Sequence, residues 1–300
     1  MGKAIKLSPK VDRVLLGFGL ATLALFSSLV VWTYWGQGNA ITNSVVVLFA
    51  ILSLVAIVQC WRDKIRLGFS LRAGAPRELL VGFGICVLAW AGIFLVGWAL
   101  GAIRLEGARP EVGGLIRTLG ILTANAAFQE VMFRVLILCG LIALFRRPWL
   151  AVGFSAILFG VAHAAADGIT AMGLASNALG GIMYGAAFVL TGRIWMPVGL
   201  HAGWNWMQGP VLGFNVSGAS EWSGQFVHQV AVGSDLITGG AYVDGSVIVI
   251  AFRLVIIALV VLVTWRALSS SNGHRGLLFR APNAQEGSKG AVGPVETRGG

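Results

Sequence analysis

The chain has 300 residues, of which 57% are hydrophobic and only 11% carry a charge. A soluble domain cannot cover so much apolar surface, so this composition predicts a membrane protein. The formal net charge of +10 does not indicate a nucleic-acid-binding protein, because the basic residues flank apolar segments instead of sharing one face with aromatic side chains.

Apolar segments long enough to cross about 30 Å of hydrocarbon, at about 20 residues each, follow one another along the chain. In chain order the predicted spans are 14–35, 44–61, 79–100, 115–145, 149–163, 171–191, 194–212 and 247–265. The first three and the last are clear spans, and the other four contain polar residues. The span 115–145 is long enough to be tilted or broken, and 149–163 is short for a full crossing. We therefore predict an all-α fold, a polytopic membrane bundle of about eight transmembrane helices.

The loop charges predict the orientation. With eight helices, one side collects nearly all the basic residues: those before residue 14, those within 62–77, Arg146 and Arg147, Arg193, and those within 266–298. The other side has only Arg104 and Arg109. By the positive-inside rule both termini are cytoplasmic, and we place the protein in a bacterial inner membrane. The stretch 214–246 has no Lys or Arg, which favours an external loop.

Little else is specified outside the spans. Cys60, Cys86 and Cys139 are odd in number, dispersed and surrounded by apolar residues, so we interpret them as packing residues. The first span has no small-residue cleavage site after it and is predicted to be an uncleaved anchor. Residues 269–300 are rich in Ser, Gly and charges and are predicted to form a disordered cytoplasmic tail.

Three patterns place polar side chains one helical turn apart inside apolar helices. They are Gln129-Glu130-x-x-Phe133-Arg134, Phe159-x-x-x-His163 and His201-x-x-x-Asn205. Charged and imidazole groups are costly in lipid, so by default they face each other or a water-filled cavity. Glu130 and Arg134 lie on one helix face, where they could form an ion pair of either catalytic or purely structural importance. A single His or His/Asn pair could equally be a helix-end or interhelical hydrogen bond.

Together the three patterns offer enzymatic chemistry. Imidazole, carboxyl and amide groups can position a water, take its proton and stabilise an oxyanion. Alternatively, His163, His201 and Glu130 could bind a metal ion such as zinc and leave one position open for water. The sequence does not choose between these two sites, so the predicted cofactor is either zinc or none.

In order and spacing the patterns resemble the motifs of the CPBP family of intramembrane proteases, which includes the CAAX prenyl endopeptidases and the Abi bacteriocin-immunity proteins. The resemblance implies a protease core at 114–268, after an N-terminal segment 1–13 and N-terminal transmembrane helices 14–113, and before the tail 269–300. It implies an endopeptidase that works near the cytoplasmic side of the bilayer. The expected partners are lipid and a hydrophobic or membrane-tethered peptide.

The resemblance assigns roles to the motif residues and exposes one departure. His163, His201 and Asn205 would position the water and stabilise the oxyanion, while Glu130 and Arg134 would shape the site. Where the family has its first glutamate, the proposed base, this chain has Gln129. An amide cannot accept the proton.

Three accounts of Gln129 compete: Glu130 has become the base, position 129 carries a substitution that traps substrate, or the chain is a non-hydrolytic relative. The alternative function is accordingly a non-catalytic scaffold or immunity protein. A transporter is a third class, but no repeated halves with broken helices support it.

Overall fold

The computed structural model describes residues 9–31, 40–63, 65, 67–69 and 74–270, and most of these are helical. The helices are α1 Pro9–Val31, α2 Ala40–Arg62, α3 Ala75–Ala99, α4 Val112–Glu130, α5 Cys139–Phe145, α6 Pro148–Val161, α7 Ala171–Thr191, α8 Trp195–Trp206, α9 Asp235–Thr238 and α10 Val247–Ser270. Two π-helical segments, Val131–Leu138 and Met207–Val211, follow α4 and α8, and a 3₁₀ turn spans Val243–Gly245. The predicted tail 269–300 lies outside the described residues, except for its first two, which end α10.

Each predicted span coincides with a helix, wholly or in its described part. Among the described residues five helices are long and apolar enough to cross a membrane: Lys10–Ser28, Asn43–Arg62, Ala75–Ala99, Val112–Phe145 and Ala171–Thr191. Pro148–Val161 and Val247–Leu262 are apolar but shorter. The protein is therefore a multi-pass membrane protein, and the count of eight and the domain bounds stay predictions.

The predicted break in the fourth span is a change of helix type. Val112–Phe145 runs without interruption, and eight of its residues, Val131–Leu138, are π-helical. A π-helix leaves backbone carbonyls displaced from their usual partners and occurs often at functional sites. Here the Thr22 hydroxyl of α1 donates to the Leu136 carbonyl at 3.2 Å, and Ser155 of α6 donates to the Phe133 carbonyl at 3.3 Å.

The expectation of an all-α fold was incomplete, because two short strands pair between the helices. β1 Ile103–Ala108 and β2 Val227–Ala231 form an antiparallel ribbon with Ile103 opposite Ala231 and an irregularity between Leu105 and Gly107. Both strands are too short to stand out against the apolar spans. Their pairing does bring together the two loops that the charge distribution placed on one side of the membrane.

Ion pairs join the basic segments at the opposite end of the bundle. Lys10 of α1 pairs with Asp63 at 2.7 Å, and the guanidinium of Arg146 contacts Asp12. Arg193, between α7 and α8, pairs with Glu78 of α3. The segments predicted to be cytoplasmic are therefore neighbours in the fold.

Glycines bring α8 against α3. A Cβ atom placed on Gly199 would lie 2.1 Å from the Leu79 carbonyl oxygen, and one on Gly203 would lie 2.6 Å from that of Phe83. Small residues permit such close helix contact in membrane bundles. The α3–α8 contact sets where the His201 motif lies in the bundle.

We predict that the end of the bundle carrying the β ribbon faces outward and that both termini are cytoplasmic. A cysteine at the exposed position Glu221 (Glu221→Cys) should react with a membrane-impermeant maleimide in intact cells, because its loop has no basic residue. The native Cys60, Cys86 and Cys139 are buried and should give little background.

The matched control is Arg147→Cys, which is exposed at the other end and should react only after permeabilisation. A reporter that is active only in the cytoplasm should be active when it is fused to Gly300. The opposite labelling pattern would mean that the helix count is wrong.

Candidate active site

The first motif forms a buried ion pair that also holds a histidine. Glu130 and Arg134 both have 0% exposure. One Glu130 oxygen, Oε2, accepts from Arg134 Nε at 2.7 Å, and the other, Oε1, lies 2.8 Å from His201 Nδ1. Glu130 therefore links the first motif to the third, and both of its oxygens have partners.

Aromatic rings and α7 surround the Arg134 guanidinium. Its Cζ lies 5.4 Å from the Phe159 ring centroid and 5.6 Å from that of Tyr184, distances at which a cation is attracted to a ring face. Nη1 donates to the Gly181 carbonyl at 3.2 Å. A Cβ on Gly185 would lie 3.5 Å from the same nitrogen, so a small residue there leaves room for the guanidinium.

His163, His201 and Asn205 line one small polar cavity. The space open to the centre of a water molecule is about 10 Å³, which is close to the room that one water needs. His201 stacks on Tyr184 with ring centroids 4.7 Å apart and an interplanar angle of 12°. The cavity therefore brings the second and third motifs together at a site where a single water fits.

The backbone fixes the tautomer of His163. Its Nδ1 lies 2.8 Å from the Phe159 carbonyl oxygen. Because a carbonyl only accepts, Nδ1 must carry the proton, and in the neutral ring Nε2 has the free lone pair. The Glu130 carboxylate imposes the same tautomer on His201.

Gln129 lies apart from these groups. It is partly exposed, and its Nε2 donates to Asn125 Oδ1 at 2.6 Å on the same helix. It does not line the cavity. The structure thus places His163, His201 and Asn205 in the cavity wall, Glu130 and Arg134 behind His201, and Gln129 outside.

A second buried ion pair lies in the same cavity wall, and the sequence analysis missed it. Asp244, in the 3₁₀ turn, and Arg253, in α10, are each 3% exposed and pair at 2.5 Å. Asn177, Gln208 and both charged residues line the cavity together with the histidines. An arginine inside a predicted span, at position 253, was the signal that could have revealed this cluster.

Tyr242 is joined to this cluster through Asn177. Its hydroxyl accepts a hydrogen bond from Asn177 Nδ2 at 2.7 Å. Burial, with the nearby Asp244 carboxylate, raises the pKa of Tyr242 to about 12. The phenol is therefore neutral at physiological pH and serves as a hydrogen-bonding group.

The position of the cavity sets two predictions against each other, a site near the cytoplasmic side and an external stretch 214–246. Its wall includes Ser217 and Asp244, which belong to the stretch 214–246 that the loop charges place outside. Gly218 of this stretch packs on Asp167, in the turn after α6 that carries His163. The cavity accordingly lies toward the β-ribbon end of the bundle.

The donor set does not form a three-ligand metal site. Within the part of the chain that the structure describes, no group of three or more His, Cys, Asp or Glu side chains could hold a metal ion. Of the three candidate ligands, Glu130 already uses both oxygens on Arg134 and His201, and His163 uses Nδ1 on a carbonyl. A metal would have to displace Glu130 from its buried partners.

We predict that the Glu130–Arg134 pair dominates local stability. Arg134→Ala should destabilise the protein by about 3–5 kcal/mol, because it leaves a buried carboxylate without its cation. The free energy of unfolding would be measured in mixed micelles as the fraction of denaturing detergent is increased. The double variant Glu130→Gln with Arg134→Met should be less destabilised than Arg134→Ala.

The control is Lys10→Ala, which removes a pair whose lysine side chain is 73% exposed and should cost less than about 1 kcal/mol. Equal losses in Arg134→Ala and Lys10→Ala would contradict the prediction.

Comparison with known proteins agrees with the motif order. Residues 111–207, about a third of the chain, match the family model described as type II CAAX prenyl endopeptidase Rce1-like. No curated protein and no solved structure matches the chain. The matched segment runs from the residue before α4 to the residue after α8 and contains all three motifs. Residues 111–207 are thus similar to the CAAX prenyl endopeptidase family, in agreement with the resemblance that the motifs carry.

Proposed function

We propose that this protein is an intramembrane endopeptidase that hydrolyses a peptide bond of a membrane-associated substrate. The similarity of residues 111–207 to a protease family supports a peptidase at the general level. The observation that carries the proposal is the 2.8 Å hydrogen bond between Glu130 and His201. The His201 ring also lines the cavity, together with His163 and Asn205. We propose a bacterial inner membrane as its location, with both termini in the cytoplasm.

His201 is the general base in this proposal. Its Nδ1 proton is held by Glu130, so Nε2 has the lone pair that can take a proton from water. A buried carboxylate on the far side of an imidazole fixes the tautomer and stabilises the imidazolium that forms, as in the catalytic triads. Glu130 therefore acts through His201, and the attacking water does not need to reach the carboxylate.

His163 and Asn205 complete the reaction geometry. The neutral His163 ring offers a second Nε2 to the same cavity, where it can accept a hydrogen bond from the water. Asn205 lies one turn after His201, and its amide N–H groups can donate to the oxyanion of the tetrahedral intermediate. The protonated His201 then returns its proton to the leaving amine.

The cavity accommodates a water but no peptide, so substrate entry requires movement. Ser217 and the 3₁₀ turn belong to the long connection between α8 and α10, which covers one side of the cavity. Loop displacement that admits substrate and then excludes water is common in enzymes. The substrate class we propose is a hydrophobic or membrane-tethered peptide.

The alternative function is a non-catalytic scaffold or immunity protein. Two observations favour it: position 129 has no carboxylate, and both carboxylates near the cavity, Glu130 and Asp244, are already paired with arginines. In that case the polar groups serve to hold the helices together, and the cavity has no reacting water. The two functions predict different results for the same set of variants.

We predict that Glu130→Gln and His201→Ala each lower cleavage by about 10² to 10⁴, the usual contribution of a proton-transfer group. Gln129→Ala should change the rate little, because Gln129 contacts Asn125 and lies outside the cavity wall. Rates would be measured with the purified protein in lipid on a library of membrane-tethered peptides, with and without a chelator.

Gln129→Glu is the discriminating control. A sharp rise in its rate would identify position 129 as the site of the base and overturn the role of Glu130. Cleavage by neither the parent nor Gln129→Glu would favour the scaffold. Loss of the parent's activity with chelator, restored by zinc, would mean that a metal takes part.

A further inference from the structure

A second set of charged residues meets the active-site cavity from outside the family-matched segment. Asp244 and Arg253 lie beyond residue 207, where the match ends. Both are 3% exposed, and their side chains pair at 2.5 Å. Two charges buried this deeply require precise partners, since each isolated charge would be costly in a low-dielectric interior.

The Arg253 guanidinium connects α10 with α7. Nη1 donates to the carbonyl oxygen of Ser176, to Ser176 Oγ at 2.9 Å and to Asn177 Oδ1 at 3.3 Å. Nη2 donates to Asp244 Oδ1 at 2.5 Å. A Cβ on Gly180 would lie 3.6 Å from Cζ, so α7 presents a small residue here as well.

The Asp244 carboxylate connects the same network with α8. Oδ1 accepts from Trp204 Nε1 at 3.2 Å, and Oδ2 accepts from Gln208 Nε2 at 3.0 Å. The Arg253 Cζ also lies 4.4 Å from the Trp204 ring centroid, in cation–π contact. The ion pair therefore contacts α8 at Trp204 and its π-helical extension at Gln208, one helical turn further along.

These two positions determine how α8 presents its motif. His201, Trp204 and Gln208 are spaced by three and four residues, so they lie along one face of α8 and its π-helical extension. Asn205 follows Trp204 directly. α8 meets α3 through Gly199 and Gly203, where the backbones approach closely, and through Trp204, whose ring centroid lies 5.1 Å from that of Trp90. The Asp244–Arg253 pair also holds the Trp204 ring.

We propose that Arg253 and Asp244 are positioning residues for the site: they fix the rotation and depth of α8 and thereby hold His201 and Asn205 opposite His163. The catalytic consequence rests on the proposed function. The positioning itself is a property of the fold and can be measured without activity.

Arg253→Lys keeps the positive charge at position 253 and removes the guanidinium hydrogen bonds that position α8. Lysine keeps the cation, but a single ammonium cannot reproduce the guanidinium fork that reaches Asp244 and Ser176 from different nitrogens. We expect kcat to fall about 10- to 100-fold with KM changed less than about twofold, because misplacement of reacting groups by about 1 Å can cost 10²-fold in rate. Amide hydrogen exchange at 201–208 should accelerate.

The matched control is Arg193→Lys, which alters the other arginine next to α8, paired with Glu78 at the opposite end of the bundle. It should leave kcat and the exchange of 201–208 unchanged. Trp204→Phe keeps the ring below Arg253 and removes one hydrogen bond to Asp244, so it should give a smaller change of the same kind. It also tests the proposal if Arg253→Lys does not fold.

Unchanged exchange at 201–208 in both Arg253→Lys and Trp204→Phe would overturn the proposal. Equal losses of kcat in Arg253→Lys and Arg193→Lys would also overturn it, since they would reflect general destabilisation. If the parent cleaves no peptide, the proposed function fails, and the exchange comparison alone decides the positioning role.

Discussion

The structure depends on one carboxylate, Glu130, that two partners hold in the interior of the helix bundle. Glu130 has no exposed surface, so its charge is tolerable only because Arg134 and His201 each contact one oxygen. Those contacts fix three things together: the α4 rotation, the His201 tautomer and the distance between α4 and α8. In the proposed function, the same contacts orient the His201 imidazole for proton transfer.

The π-helical segment extends this constraint to the rest of the bundle. Its displaced carbonyls, at Phe133 and Leu136, receive hydroxyl donors from α6 and α1. In addition, a Cβ on Gly19 would lie 2.7 Å from the Gly140 carbonyl oxygen, so α1 approaches α5 closely. The first helix, which lies outside the family-matched segment, therefore supports the helix that carries Glu130.

The sequence predicted the positions of the helices well, because helix formation by apolar runs depends on simple physical costs. A run of apolar residues must meet lipid, and polar residues one turn apart must share a helix face. It could not predict how the three motifs are connected, because the Glu130–His201 contact joins residues 71 apart. The β ribbon was missed for a similar reason, since each strand is defined by its distant partner.

Arg253 was overlooked for a different reason. Its span is apolar enough to be recognised in spite of the charge, and its partners come from α7 and from the turn before α10. Pattern recognition based on family motifs also directs attention to residues 129–205 alone. The general rule that an ionisable group inside a membrane helix marks a functional site would have identified it.

The geometry also accounts for an amide at position 129 in a protein that retains the remaining motif residues. Successive residues of an α-helix are about 100° apart, so Gln129 cannot share the direction of Glu130 toward His201. It contacts Asn125 on a partly exposed face instead. If His201 takes the proton from the water at Nε2, the reaction needs only one carboxylate. That carboxylate must contact Nδ1 of the imidazole and does not need to contact the water. Glu130 occupies that place, with Arg134 on one carboxylate oxygen and His201 on the other.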